Sequence, residues 1–252
     1  MEFFDSHTHL TDEIYDKSVE QIVNDAKLNN VNYIVDIGYN ESTSSAAVKN
    51  AEMFESVYAT VGLHPENVDE YTGNFDYIYE LTKSSKVVAI GEIGLDYYHT
   101  KENKDKQIEL FEKMLTLAKK HGLPAIVHSR KSMQDTFDTL KKHDVVGSLH
   151  CYQGSAEMAR EFVKLGFFIG IGGSVTYDNS KKIIKTLNEI DITRVLVETD
   201  SPYLSPEPLR GRRNDSRNVK YMAQKIADIK GLSLEQVAEA TYNNAKRIFR
   251  IK

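Results

Sequence analysis

Residues 3–10 read Phe3-Phe4-Asp5-Ser6-His7-Thr8-His9-Leu10. An apolar start runs into two histidines one residue apart, and a helix-like pattern begins at Asp12. The stretch is therefore expected to be a short buried strand whose C-terminal end carries imidazoles. Side chains alternate along a strand, which puts His7 and His9 on one side, with Asp5 deeper on the same face as a carboxylate to orient them. Two neutral imidazoles aimed into one space favour a transition metal over calcium.

Outward from this stretch, apolar β-branched runs recur with helical patterns between them. They are expected as strands over Asn32–Gly38, Val57–Pro65, Val87–Asp96, Pro124–Arg130, Gly147–Tyr152, Phe167–Val175 and Arg194–Pro202. Between the fourth and fifth, Ile108, Leu110, Phe111, Met114, Leu115, Leu117 and Ala118 recur at helical spacing, and Lys119-Lys120-His121-Gly122 supplies C-terminal cations and a capping glycine. Further helices are expected over Ser216–Lys230 and Leu234–Phe249. Continuous apolar strands alternating with helices imply a parallel sheet covered on its outer face, and eight units close a (β/α)8 TIM barrel, with a doubly wound open sheet as the competitor. The 252 residues contain no Pro, Ser or Gly linker and no repeat, so one barrel domain over residues 1–252 is expected.

Composition narrows the class. A single cysteine, Cys151, excludes an internal disulfide, and the absence of a basic and then apolar leader or of a spanning segment leads to the expectation of a soluble cytoplasmic protein with no membrane partner. A formal net charge of -5 argues against a general polyanion coat, so any nucleic-acid contact must come from a local basic patch.

In a barrel, chemistry collects at the C-terminal ends of strands. His7 and His9 fall at the first such end, His64 at the third, Glu92 and Asp96 at the fourth, His128 and Arg130 at the fifth, His150 at the sixth, Glu198 and Asp200 at the eighth. Six of these make a ligand set: His7, His9, Glu92, His128, His150 and Asp200. Since a catalytic zinc typically keeps about three protein ligands, six point to two divalent ions, zinc, manganese or magnesium. His7, His9 and Asp200 would hold one, His128 and His150 the other, and Glu92 would bridge them; ions roughly 3.5–4 Å apart clamp both oxygens of an in-line displacement. Asp200, and Glu92 as the bridge, are the expected catalytic residues, with Asp200 able to take a proton from water. Glu198 is expected either beside Asp200 or paired within the core. Cys151 is expected to face away from His150, as a buried thiol.

Two further stretches bear on substrate. Phe168-Ile169-Gly170-Ile171-Gly172-Gly173 lacks the glycine spacing of a dinucleotide loop, and its glycines fit a close backbone approach instead. Ser201 to Asn214 holds three of the five prolines and the arginines Arg210, Arg212 and Arg213 beside the expected metal site. Stiffened guanidinium groups suit phosphate. Arg130, Arg217 and Lys220 add charge, His64 is a candidate donor to substrate, and Tyr97, Tyr98 and Tyr203 are rim rings able to stack on bases or to pack loops.

The motifs Phe4-Asp5-Ser6-His7-Thr8-His9, Gly62-Leu63-His64-Pro65, Gly91-Glu92-Ile93-Gly94-Leu95-Asp96-Tyr97, His128-Ser129-Arg130, His150-Cys151-Tyr152 and Glu198-Thr199-Asp200-Ser201-Pro202-Tyr203 run through most of the chain. On them the sequence resembles the TatD family of metal-dependent deoxyribonucleases, within the amidohydrolase-like TIM barrels. The resemblance implies a two-metal hydrolase of ester bonds with the six ligands above and with His64 and Arg130 near the substrate phosphate. The expected reaction is 3'-5' exonuclease-like hydrolysis of single-stranded DNA. The alternatives are an amide or ester hydrolase on the same scaffold, including a D-aminoacyl-tRNA deacylase, and a metal-binding partner protein without turnover. Glu92, standing where many binuclear amidohydrolases carry a modified lysine, favours the phosphoesterase branch.

Overall fold

The opening stretch forms β1 (Phe3–Thr8), buried along its whole length. The computed structural model describes residues 1–99 and 101–252, and in it seven strands follow: β2 (Val31–Ile37), β3 (Val57–Val61), β4 (Val87–Asp96), β5 (Ala125–Arg130), β6 (Gly147–Leu149), β7 (Phe168–Ile171) and β8 (Val195–Val197). They pair in parallel in sequence order, β1 to β8. The seam is drawn together by the Asp200 N–H donating to the His7 carbonyl at 2.9 Å, the His9 N–H to Ser201 at 2.8 Å and the Ser6 hydroxyl to Val197 at 3.0 Å. The expected (β/α)8 barrel is the fold observed.

Helices α1 (Val19–Leu28), α2 (Glu41–Met53), α3 (Asp76–Leu81), α4 (Lys104–His121), α5 (Met133–Leu140), α6 (Ala156–Lys164), α7 (Lys181–Glu189), α8 (Val219–Lys230) and α9 (Leu234–Phe249) surround the strands. Their ends follow local chemistry. Ser18 and Gln21 form a capping box at the start of α1, and Gly122 ends α4 with φ of 65°, a left-handed conformation cheap only for glycine. Alternation along the strands produces two apolar layers. Ile34, Val57, Ala59 and Val61 pack outward with Leu110, Phe111 and Met114 of α4. Phe4, Val35, Ile37, Val88, Ile126, Phe168 and Leu196 cluster with Ile248 and Phe249 of α9. Phe4 stacks on Phe249 at 5.8 Å, so α9 stops the N-terminal end of the barrel and leaves the other mouth for chemistry.

β4 spans the expected Val87–Asp96, whereas β3, β6, β7 and β8 are shorter than the apolar runs. β6 and β8 span three residues each, so His150 stands one residue past its strand and Asp200 three past. The backbone leaves the ladder where polar side chains must turn across the mouth. Lys131, Cys151 and Asp200 adopt left-handed φ of 58°, 44° and 53° there, conformations that cost about 1–3 kcal/mol and persist where the surroundings over-determine them. Among the described residues no helix is long and apolar enough to cross a membrane.

Candidate metal centre and active site

Glu92 lies within β4, and its two carboxylate oxygens face different histidines. Oε1 is 3.1 Å from His128 Nδ1, 3.0 Å from His150 Nε2 and 3.6 Å from His64 Nε2. Oε2 is 3.5 Å from His7 Nε2 and 4.0 Å from His9 Nε2. Asp200 Oδ1 joins the second group at 3.6 Å from His7 Nε2 and 3.4 Å from His9 Nε2. All six residues of the expected ligand set therefore meet at one mouth, where the His7 and His150 rings stack 3.9 Å apart. Ligand atoms of His7, His9 and Glu92 lie within 4.8 Å of one another, as do those of His7, His150 and Asp200 and those of His64, Glu92 and His128.

This arrangement fits a divalent ion. The His7 ring is fully buried, yet among the described residues neither of its nitrogens has a hydrogen-bond partner. Such a buried group costs about 1–3 kcal/mol if nothing satisfies it. Carboxylates stand just beyond hydrogen-bond distance around Nε2, and mixed imidazole and carboxylate donors suit zinc or manganese.

Burial opposes every charge in the cluster, and the neighbours decide the outcome. For Glu92, burial pushes the carboxyl up, but the imidazoles of His150 and His64 and hydrogen bonds from His128 and His150 hold it well below the usual range. Asp200 is likewise lowered against burial, by the His9 hydrogen bond and the His150 and His7 charges. Burial would depress His150, His9 and His128, yet adjacent carboxylates raise all three. His7 is lowered by burial and by the His150 charge. Burial and the His128 charge pull His64 down to about 3, which keeps it neutral.

Asp96 was only a strand-end carboxylate in the sequence, yet its Oδ2 lies 3.0 Å from His128 Nε2, so it fixes the ring that turns Nδ1 towards Glu92. Its two-residue-periodic spacing from Glu92 was the available signal. Glu198 stands behind His150, with Oε1 3.5 Å from Nδ1, and also accepts the Cys151 N–H. Gly170 makes room for it, since a Cβ there would sit 2.5 Å from Glu198 Oε2; that is the close approach expected of the glycine run. Gly94, at φ of 139°, lets β4 and β5 close, because a Cβ would meet the His128 carbonyl at 2.0 Å.

The expectations for Cys151 and Asp5 are corrected. Cys151 does not face away: its left-handed φ turns Sγ to the same side, where it groups with His150 and Glu198. Asp5 does not bond an imidazole nitrogen: its carboxylate accepts the backbone N–H of His7 at 3.5 Å, and accepts from Thr199 N at 2.9 Å and Thr199 Oγ1 at 2.6 Å.

On the substrate side, His64 caps the short turn Pro65–Glu70, its Nδ1 accepting the Glu66 N–H at 3.2 Å. The proton of the neutral ring is then on Nε2, facing the centre. Tyr203 places its ring 6.1 Å from His9 and donates its hydroxyl to Asp12. Arg130 is exposed and stacked on Tyr98 at 4.1 Å. Arg210 lies over Tyr177 at 4.5 Å and 3.8 Å from Glu207, and Arg213 pairs with Asp16 at 3.0 Å. Arg212 is exposed, with no carboxylate within 4.0 Å among the described residues. Arg217 is a correction: its guanidinium is occupied by Asp215, at 2.6–3.0 Å, and adds no free charge.

Comparison with known proteins agrees with this geometry. The family described as TatD related DNase matches residues 4–250. The metal-dependent hydrolase YabD of Bacillus subtilis is 42% identical over 252 residues, covering 98% of this chain and 99% of that protein. The crystal structure of YjjV, a TatD homologue from Escherichia coli K12, superposes with a TM-score of 0.91 at 27% identity, covering 99% of this chain and 98% of that one. A TatD-family hydrolase from Entamoeba histolytica, at 24% identity and covering 98% of this chain and 97% of that one, shares the fold with a TM-score of 0.86. With a family match over nearly its whole length and a relative of this identity, the chain belongs to the TatD-related DNase family.

Proposed function

We propose that this metal-dependent hydrolase cleaves phosphodiester bonds of DNA, with single strands as substrate, at a centre of two divalent ions. The observation that carries the reading is the Glu92 carboxylate, whose oxygens face His128 and His150 on one side and His7 and His9 on the other. His7, His9 and Asp200 would hold one ion, His128 and His150 the other, with Glu92 shared between them. Bound there, zinc, manganese or magnesium would acidify an attacking water and offset charge on the phosphate.

The chain's own groups supply the rest. Asp200, held ionised by its histidine neighbours, accepts the water's proton on a carboxylate oxygen. His64, neutral and with its proton on Nε2, donates a hydrogen bond to a phosphate oxygen. Arg130 and Arg212 stand as exposed cations for the backbone of the strand. Asp200→Asn keeps the size of the side chain but removes the proton acceptor, so turnover should fall by about 10²-fold or more with the fold intact. The test combines metal analysis of the purified protein with hydrolysis of single-stranded DNA and of an aminoacyl-tRNA, before and after chelation. Close to two ions per chain, and DNA cleavage that chelation abolishes and metal restores, are expected. Full DNA cleavage by metal-free protein would refute the mechanism, and cleavage of the aminoacyl ester alone would move the substrate to the other branch.

A further inference from the structure

We propose that Tyr98 and Arg130 form a stacking shelf for one unpaired base of the strand whose phosphate lies at the metal centre. The proposal rests on the reading of DNA as substrate and assigns the residues that select single strands. Tyr98 is 60% exposed, unusual for so large a ring directly after a buried strand. Its neighbour Tyr97 shows the ordinary fate of such a residue: it is half-buried, its hydroxyl donates to Asp135 at 2.9 Å, and Lys104 covers it at 5.2 Å. Tyr98 instead carries the Arg130 guanidinium 4.1 Å from its ring centre and meets His99 in a T-shaped contact at 4.9 Å, with most of its surface still exposed. Arg130 is the register partner of Asp96 on the adjacent strand, and among the described residues no carboxylate pairs with it, so its charge remains available to a backbone phosphate.

The shelf is tied to the chemistry through one carboxylate. Asp96 Oδ1 accepts the N–H groups of Tyr98 at 2.8 Å and His99 at 2.9 Å, while Oδ2 lies 3.0 Å from His128 Nε2. His128 in turn meets Glu92 at 3.1 Å. The backbone that carries the ring is thus tied to the centre through Asp96 and His128, and a base can stack there without ordering a separate segment. An aromatic face accepts any base, because every base presents a π-face, but the bases of a duplex are already stacked on one another. The shelf therefore discriminates strandedness and tolerates sequence.

The test measures KM and kcat of the metal-replete protein on a single-stranded oligonucleotide and on an abasic oligonucleotide of the same length and charge. Tyr98→Ala should raise KM for the base-bearing strand by roughly 5- to 150-fold, the worth of one stacked base. Its KM for the abasic strand should stay unchanged, and Tyr98→Trp should retain the wild-type preference. An equal loss on both strands would make Tyr98 a brace of its turn, and no change on either would remove it from binding; both overturn the shelf while leaving the DNA reading intact. A wild-type protein that cleaves neither strand would overturn that reading and the shelf with it.

Discussion

Asp96 and Glu198 stand behind histidines, on the side of the ring that faces away from Glu92: Asp96 holds His128 Nε2 at 3.0 Å, and Glu198 faces His150 Nδ1 from 3.5 Å. A carboxylate in that place fixes the ring's orientation and makes the opposite nitrogen a better donor to a metal. Asp96→Asn is the informative change, because its remaining carbonyl oxygen can still accept the Tyr98 and His99 N–H groups while the amide no longer attracts His128. Metal affinity, read by competition with a chromophoric chelator, should fall by about 10–100-fold for Asp96→Asn and for Glu198→Gln. Wild-type affinity in both variants would show that the rings are oriented by packing alone.

At the scale of the element, the segment from Ser201 to Asp215 joins centre to surface. Asn214 fastens it, donating to the carbonyls of Thr199 at 2.9 Å and Tyr203 at 2.8 Å. The structure separates its arginines: Arg210 and Arg213 already have acidic partners, and Arg212 has none among the described residues. A phosphate that engages a paired guanidinium must displace its carboxylate, whereas Arg212 only exchanges water and counterions. Arg212→Ala should therefore reduce the log-log salt dependence of single-strand binding by about 0.7, the value of one phosphate contact, and Arg210→Ala should leave it unchanged. Binding measured at several salt concentrations decides this; equal slopes for both variants and wild type would make the loop a solvated surface.

At the scale of the whole molecule, the barrel carries buried charge away from the centre. Asp36 on β2 is fully buried and ties the ring together, accepting the Leu10 N–H at 2.9 Å and the Asn50 side chain at 2.9 Å. Burial outweighs these bonds and raises its carboxyl to about 6. A carboxyl raised in the folded state binds its proton more tightly there than in the unfolded chain. Its contribution to stability is thus fully present below the unfolded value near 4 and lost as pH rises through about 6. Asp36→Asn does not titrate. Stability of wild type minus that of Asp36→Asn should fall by about 2 kcal/mol between pH 4.5 and 7.5, at ~1.4 kcal/mol per pH unit. Denaturant unfolding of both proteins at the two pH values measures it, and a difference that does not change with pH would contradict the assignment.

The barrel was legible in the chain because its signals are local. Apolar β-branched runs such as Val87 to Asp96 alternate with amphipathic segments such as Asn103 to His121, and burial needs no more than that periodicity to set a strand against a helix. The six converging residues were legible for the same reason, since ligand-type side chains at the ends of successive strands can point only into the mouth of a closed ring. What the tertiary structure decided depends on register, on single backbone angles and on partners remote in sequence. The closing of β1 against the segment after β8 gave Asp5 the Thr199 hydroxyl, 194 residues away. One left-handed angle turned Cys151 towards Glu198. The placing of β4 against β5 set Asp96 on His128 and divided the oxygens of Glu92 between two groups of histidines. Periodicity states which face a residue takes; it carries no information about which distant side chain waits there, and that is fixed only when the ring closes.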